Sequence, residues 1–236
     1  MRLLRFVILC LVLAGLAAGA PARTSGDSGV ALMRVPDGGL QPQTAIDASG
    51  KIHLLYYGGD PMAGNIFYAR SVDGGATFSK SIRVNAHEGS AIAAGNIRGA
   101  HIAVGRNGSV HVAWMGSKLA EPKGPHGEAP MLYTHLNAAG TAFEPERNII
   151  QLAYGLDGGG TVAADPKGSV YVIWHAPEPG KEDEANRRVW VARSSDNGNT
   201  FAAEKAAWTE RTGVCGCCGL GALADREGNL YIQYRS

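Results

Sequence analysis

Short apolar stretches that alternate with polar positions run through this chain at a near-constant interval. The clearest set begins at residues 47, 105, 165 and 225, steps of 58, 60 and 60. The four copies are Asp47–Tyr56, Gly105–Trp114, Asp165–Trp174 and Asp225–Tyr234, each a D-x-x-G-like turn followed by an alternating strand. A small-residue strand precedes each turn: 44–46, 102–104, 161–164 and 222–224. After it come a third strand, such as 65–70 or 188–193, and a fourth, such as 81–85. Four strands per period of about sixty residues predict an antiparallel, radially repeated all-β architecture, with the Ala- and Gly-rich first strand at the crowded axis.

A second repeat falls between the third and fourth strands. Ser71-Val72-Asp73-Gly74-Gly75-Ala76-Thr77-Phe78 returns as Ser194-Ser195-Asp196-Asn197-Gly198-Asn199-Thr200-Phe201, sharing S-x-D-x-G-x-T-F. The chemistry is that of a tight turn: the Asp accepts turn N–H groups, Gly supplies positive φ, Thr bonds locally and Phe tucks beneath. The middle repeat is worn, keeping Gly140 and Phe143, with Ala138 expected where the Asp would stand. These boxes (Ser71, Asp73, Gly75, Thr77 and Phe78; Ser194, Asp196, Gly198, Thr200 and Phe201) are read as structural.

The motif resembles the Asp box of the bacterial neuraminidase repeat (BNR) proteins and other sialidase-like β-propellers. The resemblance covers about residues 30–236 and implies a sialidase-like β-propeller of four-stranded blades. About three and a half blades are expected here, where the family usually has six. Residues 36–236 would be the blades, with the fourth one truncated: a longer propeller's N-terminal part, or a chain that covers its exposed edges by self-association.

Composition narrows the setting. The 236 residues carry 33 Gly and only 18% charged residues, and the formal net charge of +1 gives no electrostatic case for nucleic acid or an anionic membrane. Arg2 and Arg5 before the apolar run from Phe6 to Ala18 predict a signal peptide over 1–22, then a flexible lead over 23–35. A membrane anchor is the alternative, but the run is short for a bilayer span. The expected location is secreted or periplasmic, with no membrane association after cleavage.

Blade topology assigns the turns and boxes to one face. The loops joining second and third strands, and the links between blades, belong to the other, which the resemblance makes the active-site face. It holds residues 57–64, 115–129, 175–188 and the links 87–98, 154–157 and 215–218. By the resemblance, Arg34 in Arg34-Val35-Pro36 corresponds to a substrate-gripping arginine, and Asp60 lies in the loop of the acid/base Asp; an ordinary ion pair and a turn role are the alternatives. Arg98, His175, Arg235 and Tyr57 are the ligand-binding candidates, the last three because equivalent strand ends vary within a repeated frame. The family's Tyr nucleophile and its Glu partner, the exception to two-carboxylate glycosidases, would fall in blades beyond this chain.

Cys215, Cys217 and Cys218 form a compact cluster. A disulfide, with the odd cysteine pairing elsewhere, is one reading; a soft metal such as copper(I) or zinc is the other. No cofactor is required. Three functions remain open: glycan or anionic-ligand binding on the loop face, an exo-α-sialidase or a fragment of one, and a structural or metal-associated surface propeller.

Overall fold

The computed structural model describes residues 30, 32–95, 99–210, 213–214 and 219–235. The chain divides into two units, 1–34 and 35–236. Of the first, the described residues are exposed; the signal-peptide expectation falls outside the described residues. No helix among those described is long and apolar enough to cross a membrane.

The second unit is almost entirely β. Its strands are β1 (Leu40–Ile46), β2 (Ile52–Asp60), β3 (Ala63–Ser71), β4 (Ile82–Arg83), β5 (Ala100–Val104), β6 (Val110–Met115) and β7 (Met131–His135). They continue as β8 (Arg147–Asn148), β9 (Gly160–Ala164), β10 (Val170–Pro177), β11 (Arg187–Ser194), β12 (Lys205–Ala206), β13 (Gly221–Ala224) and β14 (Leu230–Gln233). Each of the first three groups of four forms one antiparallel sheet in sequence order, and β13 pairs with β14 in a two-stranded sheet. These are three full β-propeller blades and the first two strands of a fourth. First strands lie side by side, β1 by β5, β5 by β9 and β9 by β13.

The blades are held by three apolar layers. Leu55, Tyr68, Val112 and Trp114 fill the seam between the first two blades. Tyr133, Val172, Trp174 and Trp190 fill the next, and Tyr171, Ile173, Val189 and Leu220 the third. Alternation in the second strands is therefore hidden: β10 reads as buried along its whole length, because both faces of the blade meet a neighbour.

The turns follow from local donors and acceptors. Asp47 Oδ1 accepts the Ser49 and Lys51 N–H groups at 2.8 and 3.0 Å, and Asp165 Oδ1 those of Lys167 and Ser169 at 2.8 and 2.9 Å. The fourth residue of each copy is a Gly at positive φ: Gly50, Gly108, Gly168 and Gly228. In the boxes, Asp73 Oδ1 accepts Thr77 N–H and Asp196 Oδ1 accepts Thr200 N–H, each at 2.9 Å. The worn middle box corrects the alignment made from sequence. Asn137, not Ala138, takes the Asp position: its Oδ1 accepts Thr141 N–H at 3.0 Å across the same four-residue span. An amide oxygen can do this part of the carboxylate's work, and the extra residue falls between Thr141 and Phe143.

Candidate functional site

On the face opposite the boxes, three segments meet between the second and third blades: residues 116–130, the link 149–159, and the β10–β11 connection. They enclose an open groove of about 740 Å³ lined by His126, Glu128, Leu152, Tyr154, Pro177, Lys181 and Arg187, among others.

Each segment is pinned by a specific contact. The link is tied down by Glu204, whose Oε1 accepts the N–H groups of Leu152 and Ala153 at 2.7 Å each. Trp174 Nε1 donates to the Ala153 carbonyl at 3.0 Å, and Tyr154 O–H to that of Ile150 at 2.9 Å. Residues 124–128 form a tight turn, with Gly124 and Glu128 joined through N–H···O=C at 3.0 Å. A Cβ on Gly124 would lie 2.7 Å from the Tyr154 ring, so only glycine lets the turn rest on that aromatic face. In the β10–β11 connection, Asp183 Oδ1 accepts Asn186 N–H at 2.9 Å, and Arg188 pairs with Glu178.

The groove's electrostatics are mixed. Arg187 Nη2 stands 3.4 Å from Asp157 Oδ2 while its side chain is only 12% exposed, so the guanidinium is oriented along the wall. Glu128 is held below the ordinary carboxylate range by its own backbone N–H and then by that of His126, which reaches Oε2 at 2.8 Å. Glu128 is thus an anion and a hydrogen-bond acceptor, not a proton donor. An aromatic face, prolines and the exposed Leu152, framed by Lys181, Arg187 and carboxylates, suit a ligand with apolar C–H faces and many hydroxyls.

The residues singled out from sequence lie elsewhere. Asp60 ends β2, exposed, and its Oδ1 accepts Met62 N–H at 2.8 Å, which makes it a turn acceptor. Tyr57 and His175 are corrections to the expected ligand-facing strand ends. Tyr57 is buried, its O–H donating to the Asp60 carbonyl beneath the 86–93 link, and His175 is fully buried opposite Val189. The reason is strand length: β2 runs three residues beyond Tyr57 and β10 two beyond His175, so both positions are strand interior. Arg34 belongs to the N-terminal unit and is exposed. Arg235 is exposed beyond β14. Arg98, Cys215, Cys217 and Cys218 lie outside the described residues. Among those described, no group of three or more His, Cys, Asp or Glu side chains is arranged to hold a metal ion. Tyr154, Lys181 and Arg187 carry no motif; blade topology alone places their loops on this face.

No protein-family model matches the sequence, and neither does any curated protein. Among solved structures, the chain is similar to an ulvan lyase of the PL25 polysaccharide lyases bound to -[GlcA(1-4)Rha3S]-. That match has a TM-score of 0.51 and 15% identity, over 77% of this chain and 47% of the other. An α-L-arabinanase of Penicillium chrysogenum complexed with arabinobiose gives 0.49 and 15%, over 82% and 56%. A protein of unknown function from Dyadobacter fermentans gives 0.48 and 17%, over 82% and 56%. The chain spans about half the length of these proteins. At this identity the lyase match shows a shared fold: the chain is a β-propeller of four-stranded blades.

Proposed function

We propose that this chain is an exported, sialidase-like Asp-box propeller that binds an acidic glycan in the groove formed by residues 124–128, 151–155 and 177–187. The observation that carries the reading is that the Tyr154 ring and the Arg187 guanidinium, oriented by Asp157 and the Gly155 carbonyl, line one open groove. The ring offers a stacking face to a pyranose, and Arg187 with Lys181 meets its carboxylate or sulfate. The N-terminal charge and apolar pattern supports export, to the periplasm or medium, where two of Cys215, Cys217 and Cys218 would form a disulfide and the odd cysteine would pair elsewhere. The reading needs no cofactor.

An exo-α-sialidase reading is less well supported. It needs Arg34, Arg98 and Arg235 around one carboxylate with Asp60 as proton donor, and Asp60 is engaged as a turn acceptor.

Calorimetric titration of the purified protein with glucuronate-containing and neutral oligosaccharides tests the proposal, beside a fluorogenic sialoside assay. Binding of the acidic series is expected, weakened about tenfold or more by Tyr154→Ala and by Arg187→Ala. Affinity untouched by both variants, or absent altogether, would remove the groove as the site. Sialoside hydrolysis would instead restore the catalytic reading.

A further inference from the structure

The box face carries a second cavity, of about 560 Å³, between the first two blades. Lys51, Arg70 and Arg106 line it, with His135 and Tyr68, and Glu144 is the acidic side chain of its lining. The arginine ion pairs of the described residues belong to Arg83, Arg187 and Arg188, so neither Arg70 nor Arg106 is neutralised by a carboxylate among them. Lys51 is shared with Asp47 at 3.7 Å.

Both arginines rest on glycines of the following blade's turns. A Cβ on Gly140 would lie 3.0 Å from Arg70 Nη1, and one on Gly168 would lie 3.2 Å from the Arg106 guanidinium carbon. Both glycines have positive φ, so the turns that admit the guanidinium groups also disfavour a side chain there. The two cations are held against backbone instead of ranging through solvent, which lowers the entropy lost on engaging a ligand.

The cavity floor is not free to donate. Asp47 Oδ2 stands 3.4 Å from His53 Nε2 and so favours the proton on that nitrogen; His53 Nδ1 then accepts the Tyr68 O–H at 2.8 Å. Tyr68 O–H is thereby committed to the relay and its oxygen is also bonded by Arg70; the donors left for a ligand are the remaining Arg70 N–H groups, Arg106 and His135.

We infer that this cavity is a second binding site, separate from the groove, for a small molecule bearing an oxyanion: a carboxylate, sulfate or phosphate carried on a body of about monosaccharide size. Its volume falls in the range of small-molecule sites, and planar forks match planar or tetrahedral oxyanions bidentately.

Glucuronate, glucose 6-sulfate and glucose 6-phosphate serve as probes, with glucose as the neutral control, in titrations of wild type and variants followed by calorimetry at low and moderate salt. At least one anionic probe is expected to bind, more weakly as salt rises, with affinity reduced about tenfold or more in the Arg70→Gln/Arg106→Gln double variant. Glu144→Gln, which removes the opposing charge from an exposed position, is expected to tighten binding severalfold; this gain cannot arise from misfolding. Repeating the titrations in the Arg187→Ala background removes the groove's share of the binding, and the Arg70/Arg106-dependent binding is expected to persist there. Absence of binding by all three anions, or binding that survives the double variant and is lost in Arg187→Ala, would overturn the inference.

Discussion

Glu204 Oε1 accepts the Ala153 backbone N–H at 2.7 Å, joining the fourth-strand region of one blade to the link that precedes that blade. The same carboxylate takes the N–H groups of Gln151 and Leu152. Glu146 repeats the arrangement one blade earlier, accepting from Ala86 at 2.7 Å and His87 at 3.0 Å. Each Glu stands three residues after its box Phe, Phe201 or Phe143; the first blade has Ser81 there, which donates to Asp37 at 3.0 Å. A buried carboxylate is tolerable here because a fan of N–H dipoles solvates it.

Glu204→Ala should therefore cost about 3 kcal/mol in urea unfolding, since it leaves up to three amides unpaired in an apolar seam. The variant should also bind glycan more weakly without touching it, because the 151–155 link lines the groove. A loss below about 1 kcal/mol would mean water replaces the carboxylate.

Gly198 of the last box seats on Tyr133 of the preceding blade, where a Cβ would lie 1.8 Å from the phenol oxygen, at φ +85. Gly198→Ala should destabilise by about 2–4 kcal/mol. Adding Tyr133→Phe should recover part of that loss, although Tyr133→Phe alone is destabilising because it removes the bond to His111. Strict additivity of the two in a double-mutant cycle would argue that backbone strain, not the contact, sets the cost.

Acid should loosen the boxes. Hydrogen bonds from the Thr77 hydroxyl first, then from Thr77 N–H and Ser71, lower Asp73 from 3.8 to about 2. A depressed folded-state value means this stabilisation is complete above pH 3.8 and disappears as pH falls toward 2. Asp73→Asn reproduces the amide that the middle box already carries at Asn137. It should keep the turn, flatten stability over that window in denaturation curves, and leave ligand affinity at neutral pH unchanged. A selective loss of binding would contradict the structural role.

A second acid response, beginning at higher pH, should come from His111. Burial, with a smaller contribution from His135, pushes it from 6.5 down to about 3. The folded chain holds it neutral between Tyr133 O–H at 2.8 Å and Ser109 Oγ at 2.9 Å. Its stabilisation is full above pH 6.5 and falls as pH drops below that value, by about 1.4 kcal/mol per unit for one proton. Urea midpoints at pH 7, 6 and 5 should show the decline, and a His111→Gln variant should be less stable at pH 7 but decline less steeply. Parallel slopes would show that other groups carry the effect.

The chain's own order determined the repeat, the strand pairing within each blade and the turn chemistry. Asp47, Asp73, Asp165 and Asp196 find their amide donors within four residues, so spacing alone exposes them. The spans of β3 and β11 likewise follow from period-two alternation bounded by turn residues, within a residue or two of the observed ends. What only tertiary structure decided is how blades meet. Glu204 and Ala153 are 51 residues apart, and Ala86 and Glu146 are 60 apart; nothing local distinguishes these glutamates from solvated ones. The same holds for Tyr57 and His175, whose burial depends on how far β2 and β10 extend, and for Tyr154 and Arg187, which share a groove only because two loops and a link converge. Local hydrogen bonds are written in spacing; burial and convergence depend on neighbours that sequence distance conceals.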